Sequence, residues 1–256
     1  MKLSVIASHI EGRLIGQDLE VSQFSIDTRT IQSGDVFIAL SGANFDANDF
    51  VARAQAQGAI AAIVTRHDAA CPIPQIVVAN THTALGQLAK AWREQFDLVR
   101  VAITGSSGKT TTKELTASIF RQIGETLATL GNKNNDIGVP LTLLRLNADH
   151  RYGVFELGAN HKGEIAYTSA LVQPHAAVIN NIGTAHLEGF GGREGIARLG
   201  RLGFDLSLKP GVQPFLRLRE LGAALGLAQR GGQAVTVLLL QRSEERRVGK
   251  ECLRLC

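Results

Sequence analysis

The sequence predicts an α/β fold: a small N-terminal α/β unit followed by a parallel-sheet unit built on a phosphate loop. Three observations predict it. Short apolar runs of strand length alternate with segments of helical period. Glycine is abundant, at 27 of 256 residues, which suits many tight strand-to-helix turns. The run Gly105-Ser106-Ser107-Gly108-Lys109-Thr110 directly follows one apolar run and opens a helical one.

In chain order, Asp35–Leu40 and Ala59–Val64 read as buried strands. Between them Phe50, Val51, Ala54 and Gly58 fall at helical spacing, predicting a helix over 50–57. Pro72 and Pro74 break the chain before a third strand, Gln75–Ala79. A helix over 83–96, with Leu85, Leu88, Ala89 and Trp92 on one face, connects the two units. The second unit opens with strand Val99–Thr104, the glycine-rich turn, and a helix from Lys109 to Ile123. Leu115, Ile119 and Ile123 are the expected buried stripe of that helix. Strands Tyr152–Glu156 and Ala176–Asn180 follow, each ending in polar residues. Strand, helix, strand in this order implies parallel pairing, with ligands beyond the carboxyl ends of the strands.

Past residue 197 the grammar is lost. Residues 1–192 hold 15 Lys/Arg against 17 Asp/Glu, and residues 193–256 hold 12 against 6, so the whole basic excess lies in the last quarter. A basic excess confined to one odd tail does not describe a phosphate-tracking surface, and nucleic acid is not an expected partner. The segment 198–256 is read as an anomalous tail, non-native or misread. No apolar run reaches the roughly 18 to 20 residues that span a bilayer, so no membrane insertion is expected. Met1–Ile6 carries no long apolar stretch, and Cys71, Cys252 and Cys256 form no metal or disulfide pattern. The default compartment is the cytoplasm.

The phosphate loop carries the strongest chemical signal. Backbone N–H groups of Gly105, Ser106, Ser107 and Gly108 can converge on a phosphate, and glycine allows the close approach. The helix N-terminus adds about half a positive charge, against roughly four negative charges on a nucleoside triphosphate. Lys109 supplies a full charge, and a Mg²⁺ held by the Thr110 hydroxyl supplies two more. The longer Gly-x-x-x-x-Gly-Lys-Ser/Thr pattern would want glycine where Ile103 stands. A capped helix after a strand is the plainer alternative for the Ser/Thr residues.

At this loop, with Thr111 following, the chain resembles the Mur ligase superfamily, in which Gly-x-x-Gly-Lys-Thr replaces the longer form. Three further blocks resemble its MurF type: Gly131–Leu144, Glu156–Ile165 and Asn180–Gly191. In the first unit, Asp27-Thr28-Arg29, Gly34–Leu40 and Gly42 with Phe45–Phe50 resemble the family's UDP-substrate domain. The resemblance runs over about residues 20–197. It implies three units: 1–82 binding the UDP-muramoyl peptide, 83–197 a truncated P-loop ATP-binding domain, and 198–256 the tail. It further implies ATP and Mg²⁺ as cofactors. UDP-N-acetylmuramoyl-tripeptide and D-alanyl-D-alanine are the implied partners, and a monomer is expected of a full-length parent. The implied reaction has two steps: the tripeptide carboxylate attacks the γ-phosphate, and the dipeptide amine then displaces phosphate from the acyl phosphate. Thr28, Arg29 and the turn Asn44-Phe45-Asp46 are implied to hold the uridine end. The family usually carries histidine where Asn48 stands, and no role is expected of Asn48.

Each residue has a bland alternative. Glu156 ends a strand where a carboxylate would meet Mg²⁺; alone it would read as a solvated strand end. His186 is implied to help hold a second Mg²⁺ and to join Lys109 in catalysis, whereas a lone histidine is more often structural. Asn135 is expected to line the cleft, although Asn134 and Asn135 could simply satisfy turn backbone. Asp27-Thr28-Arg29 could be a turn with a surface ion pair. Leu199–Leu202 stands where the family carries a carbamylated lysine. These 256 residues are therefore not expected to complete ligation, and a sheet cut off midway is expected to leave an unpaired apolar edge. The other readings are a fragment that binds nucleotide or UDP-muramoyl peptide without turnover, and a different amide ligase of the superfamily. The UDP-substrate unit argues against the last.

Overall fold

The structure is a computed structural model that describes residues 1–42, 46–158, 161 and 163–180, with the backbone of 236–239. The chain opens with helix α1 (Leu3–His9), then β1 (Arg13–Ile15), β2 (Phe24–Ser25) and β3 (Val36–Ile38). A 3-10 turn (Ala47–Phe50) leads into α2 (Val51–Ala56), β4 (Ala61–Val64), β5 (Gln75–Val77) and α3 (Thr81–Arg93). These strands form one sheet in the order β1-β5-β4-β3-β2, parallel except for β1. The second sheet begins with β6 (Val99–Thr104), followed by α4 (Lys109–Arg121), β7 (Thr126–Ala128), α5 (Gly138–Leu143), β8 (Tyr152–Glu156), α6 (Glu164–Val172) and β9 (Ala176–Ile179). Its order is β10-β9-β6-β8-β7, where β10 is Thr236–Leu239, and every pair is parallel.

The α/β class, the parallel pairing and the principal strands agree with the sequence reading. The strands are shorter than their apolar runs, because flanking residues such as Leu40 and Ala59 are buried without joining a ladder. The 50–57 helix is split: Phe50 ends the 3-10 turn and is exposed, while Val51 and Ala54 are buried. α3 starts at Thr81, two residues early, because the Asn80 side chain accepts from Thr83 N at 2.9 Å and caps it. It ends at Arg93, before Phe96.

Two expectations are corrected. Leu115, Ile119 and Ile123 are 62%, 65% and 56% exposed, and the buried face of α4 is Lys113, Ala117 and Phe120. The β9 edge is not left bare. Thr236-Val237-Leu238-Leu239, a β-branched and apolar run within the supposed tail, pairs with it along four residues.

α3 fastens the two sheets together. Leu85, Leu88, Ala89 and Trp92 join one apolar cluster that runs from Leu3, Ile38 and Ile63 through to Phe155, Leu171 and Ile179. Trp92 meets Phe24 edge-on at 5.3 Å and donates its indole N–H to Leu146 O at 3.0 Å, so a single side chain touches both halves.

A buried basic cluster closes the amino-terminal edge of the second sheet. Arg100 donates its backbone N–H to His175 Nδ1 at 3.0 Å, and its guanidinium lies 3.4 Å from His175 Nε2. Burial and the Arg100 charge push His175 down to about 4. The fold therefore favours neutral imidazole, whereas the unfolded chain takes up a proton near pH 6.5. Stability from this residue is complete above that value and is lost as pH falls from about 6.5 to 4. Denaturant unfolding at pH 7, 5.5 and 4 is expected to show this slope, and His175→Asn is expected to flatten it.

Candidate functional site

In both sheets the motif residues gather at the carboxyl ends of the parallel strands, where such sheets hold ligands. In the second sheet β6 ends at Thr104, whose hydroxyl donates to Leu157 O at 2.7 Å and ties the loop to the end of β8. The chain then turns through Gly105 at φ 137° and Gly108 at φ 74°, both in the region that favours glycine. Gly108 is the N-cap of α4 and brings no side chain to cap it. A Cβ on Gly108 would lie 3.2 Å from Asn180 Nδ2. Asn180 itself follows β9, donating its backbone N–H to Thr104 O at 2.9 Å and its amide to Ser107 O at 3.3 Å. The loop is thus pinned from the strand ends on both sides. Lys109 reaches back to Gly105 O at 2.8 Å, holding its ammonium over the loop. Thr111 is exposed on the first turn of α4.

Thr110 and Glu156 come together. The Thr110 hydroxyl donates to Glu156 Oε2 at 2.9 Å, and Asn134 Nδ2 donates to Oε1 at 2.7 Å. Glu156 is 1% exposed, and among the described residues it enters no ion pair. A carboxylate so buried, served only by neutral donors, favours a cation beside it. No cluster of three or more His, Cys, Asp or Glu occurs among the described residues. One carboxylate and one hydroxyl nevertheless suit Mg²⁺, which usually takes few protein ligands and completes its shell with waters and phosphate oxygens.

Asn135 does what the plainer alternative had it do: its Oδ1 accepts from Gly138 N at 2.8 Å, capping the entry to α5. Its neighbour Asn134 is the one that touches the carboxylate. Thr129, which accepts from Glu156 N at 3.0 Å, and Asn180 also belong to the site and were not singled out from sequence. His186 and the Leu199–Leu202 stretch lie outside the described residues.

At the first sheet, Asp27 and Arg29 close on each other. The guanidinium donates to both carboxylate oxygens, Nη2 to Oδ2 at 2.6 Å, and hydrogen bonds from the Arg29 side chain and backbone hold Asp27 down to about 2. Arg29 is itself largely exposed, so the pair leaves its outer face open to solvent. Thr28 is half-buried within the turn. Asp46 accepts from the Ser41 hydroxyl at 2.7 Å and from Asn48 N at 3.0 Å, contacts that pull it to about 2. Asn44 and Phe45 lie outside the described residues. Asn48, given no role from sequence, is buried and ties this turn to β4: its amide meets Asp46 Oδ1 and Thr65 Oγ1, and its oxygen accepts from Thr65 N at 2.9 Å.

A phosphate loop opening a helix at the carboxyl edge of a parallel sheet, with a Thr–Glu oxygen pair beneath it, defines the phosphate-loop α/β class. Residues 103–202 match the Mur ligase middle domain, and residues 20–93 match the domain described as Mur ligase family, catalytic domain. The chain belongs to the Mur ligase family. It is 50% identical over 205 residues to the UDP-N-acetylmuramoyl-tripeptide–D-alanyl-D-alanine ligase of Haemophilus influenzae, covering 77% of this chain and 45% of that protein. Identity to the Escherichia coli protein of the same name is also 50%, over 196 residues, covering 77% and 43%. Among solved structures, MurF from Acinetobacter baumannii matches with a TM-score of 0.75 and 43% identity, over 92% of this chain and 52% of that one. MurF ligase from Thermotoga maritima, solved in complex with ADP, matches with a TM-score of 0.67 and 30% identity, over 86% and 50%. The chain spans less than half the length of the curated relatives it matches. No helix among the described residues is long and apolar enough to cross a membrane.

Proposed function

We propose that this chain supplies the nucleotide-binding and UDP-substrate units of an ATP-dependent ligase joining D-alanyl-D-alanine to UDP-N-acetylmuramoyl-tripeptide in peptidoglycan synthesis. The observation that carries the reading is the phosphate loop with Lys109 above it and the Thr110–Glu156 pair at 2.9 Å below. Loop N–H groups and the α4 N-terminus receive the phosphates of ATP, and Lys109 neutralises one of their charges. Thr110 and Glu156 would hold Mg²⁺, which when bound would supply two positive charges to lower the repulsion an anionic acyl group meets at the γ-phosphate. His186 is assigned to a second Mg²⁺ on resemblance alone. The assignment of 1–82 to the UDP substrate rests on Thr28, Arg29 and Asp46, all on one sheet edge, with Asn44 and Phe45 assigned on resemblance alone. The open face of Arg29 provides donors for a diphosphate.

Two relatives named for this activity at 50% identity, and a third solved with ADP, support the reading. Calorimetric titration of the 256-residue chain tests it. MgATP and UDP-N-acetylmuramoyl-tripeptide are each expected to bind one site, without competing. Absence of heat from both ligands, with the protein shown folded by circular dichroism, would overturn the assignment.

A further inference from the structure

We infer that Lys113 is a positioning residue that fixes the Thr110–Glu156 pair and thereby sets the Mg²⁺ dependence of nucleotide binding; this rests on the reading of the site given above. Lys113 is 0% exposed, one turn of α4 beyond Lys109. A lysine is almost never fully buried unless its ammonium is partnered, because desolvating it is costly. One partner is Glu114 Oε1, but the Glu114 side chain is 56% exposed, and a lysine could meet it in solvent without being buried at all. The inward partner is the one that needs burial: Lys113 Nζ donates to Thr129 O at 2.8 Å.

Thr129 leads on to the site. It directly follows β7, is 1% exposed, and donates its N–H to Val154 O at 3.1 Å. Its hydroxyl accepts the backbone N–H of Glu156 at 3.0 Å. The Glu156 carboxylate accepts from Thr110, which is back on α4 three residues before Lys113. The four residues make a closed circuit: two points on one rigid helix are each fastened to one of two neighbouring strand ends. Ala117 and Phe120 pack the later turns of α4 against the sheet, and Lys113 fastens its first turn beside Thr110. Lys113 thereby holds the threonine and glutamate oxygens at one separation. Mg²⁺ demands near-ideal geometry at short oxygen distances, so a small roll of the helix weakens it far more than it weakens phosphate held by loop N–H groups.

The test is nucleotide titration of the 256-residue chain, with ATP in Mg²⁺ and with ATP in EDTA, alongside thermal melting. Lys113→Met keeps the volume and removes the donor, and because Glu114 is 56% exposed the change strands no buried charge. Thr129→Val cuts the circuit at its next joint, and Thr129→Ser restores it. Lys113→Met and Thr129→Val are each expected to lose about tenfold in MgATP affinity while staying within about threefold of the parent in EDTA. Thr129→Ser is expected to match the parent in both. Should both variants melt lower yet keep the parental ratio of Mg²⁺ to EDTA affinity, Lys113 is a packing residue and the inference is overturned. A parent chain that binds MgATP no better than Lys109→Ala would overturn the reading of the site and this inference with it.

Discussion

Lys109→Ala is expected to lower MgATP affinity by about a hundredfold while leaving the melting temperature close to the parent's. The two halves of that result have separate physical origins. A triphosphate brings roughly four negative charges to the loop, against about half a charge from the α4 N-terminus. Lys109 is the full protein charge held over the loop by its contact to Gly105 O. Removing it leaves phosphate oxygens without that charged donor, and truncating one partner of a hydrogen-bonded charge pair typically costs about 2 to 5 kcal/mol of binding. Among the described residues of the free protein the same ammonium makes one hydrogen bond, to the Gly105 carbonyl, worth about 1 kcal/mol. Titration calorimetry and melting on one preparation check both halves. Unchanged affinity would remove the electrostatic basis of the proposed function.

The phase of α4 is where the sequence could have been read better. Leu115, Ile119 and Ile123 recur at helical spacing and invited assignment to the core. A phosphate loop, however, fixes the rotation of the helix it opens, because Thr110 must face the strand ends. At 100° per residue, Lys113, Ala117 and Phe120 fall within about 80° of Thr110, and Leu115, Ile119 and Ile123 fall roughly opposite. The buried set is the first one. Apolarity was a weaker guide than the geometry demanded by the loop, and it hid Lys113, which no hydrophobicity count would place inside.

Glu156 was legible for the opposite reason. A strand gives each residue a definite end and face, and a polar residue ending an apolar strand can only lie at the edge where ligands bind. The choice between Asn134 and Asn135 was not legible. Both lie in an irregular turn with no period to say which points inward, and the answer depends on long-range contacts: Gly158 N to Asn134 O at 2.8 Å and Asn134 Nδ2 to Glu156. Asn48 was missed because its partners, Thr65 and Arg66, are seventeen and eighteen residues away and joined only by the fold. The strand pairing of Thr236–Leu239 was hidden by the composition around it.

Gly138→Ala is the substitution expected to cost most in stability, about 3 kcal/mol, and it should also weaken MgATP binding. Glycine-to-alanine changes commonly stabilise, by about 0.4 to 1 kcal/mol, because they restrict the unfolded chain. Here the added carbon would stand 2.4 Å from the carbonyl carbon of Lys133 and 2.6 Å from its Cα and oxygen, all backbone atoms with no rotamer to escape through. Either α5 withdraws, opening the packing of Val139 and Leu143, which are fully buried, or the Lys133 backbone moves. The second route carries Asn134 with it, and Asn134 is already wedged against Gly158, where a Cβ would meet its Oδ1 at 2.6 Å. Its amide then leaves Glu156, and the carboxylate loses one of the two side-chain donors that orient it. A melting temperature roughly 6 to 12 °C below the parent's, with reduced MgATP affinity, is the expected result. Because the entropic and steric contributions have opposite signs, a variant that melts at or above the parent would show that the turn yields without strain, and that Asn134 is not held in place by the close approach of α5.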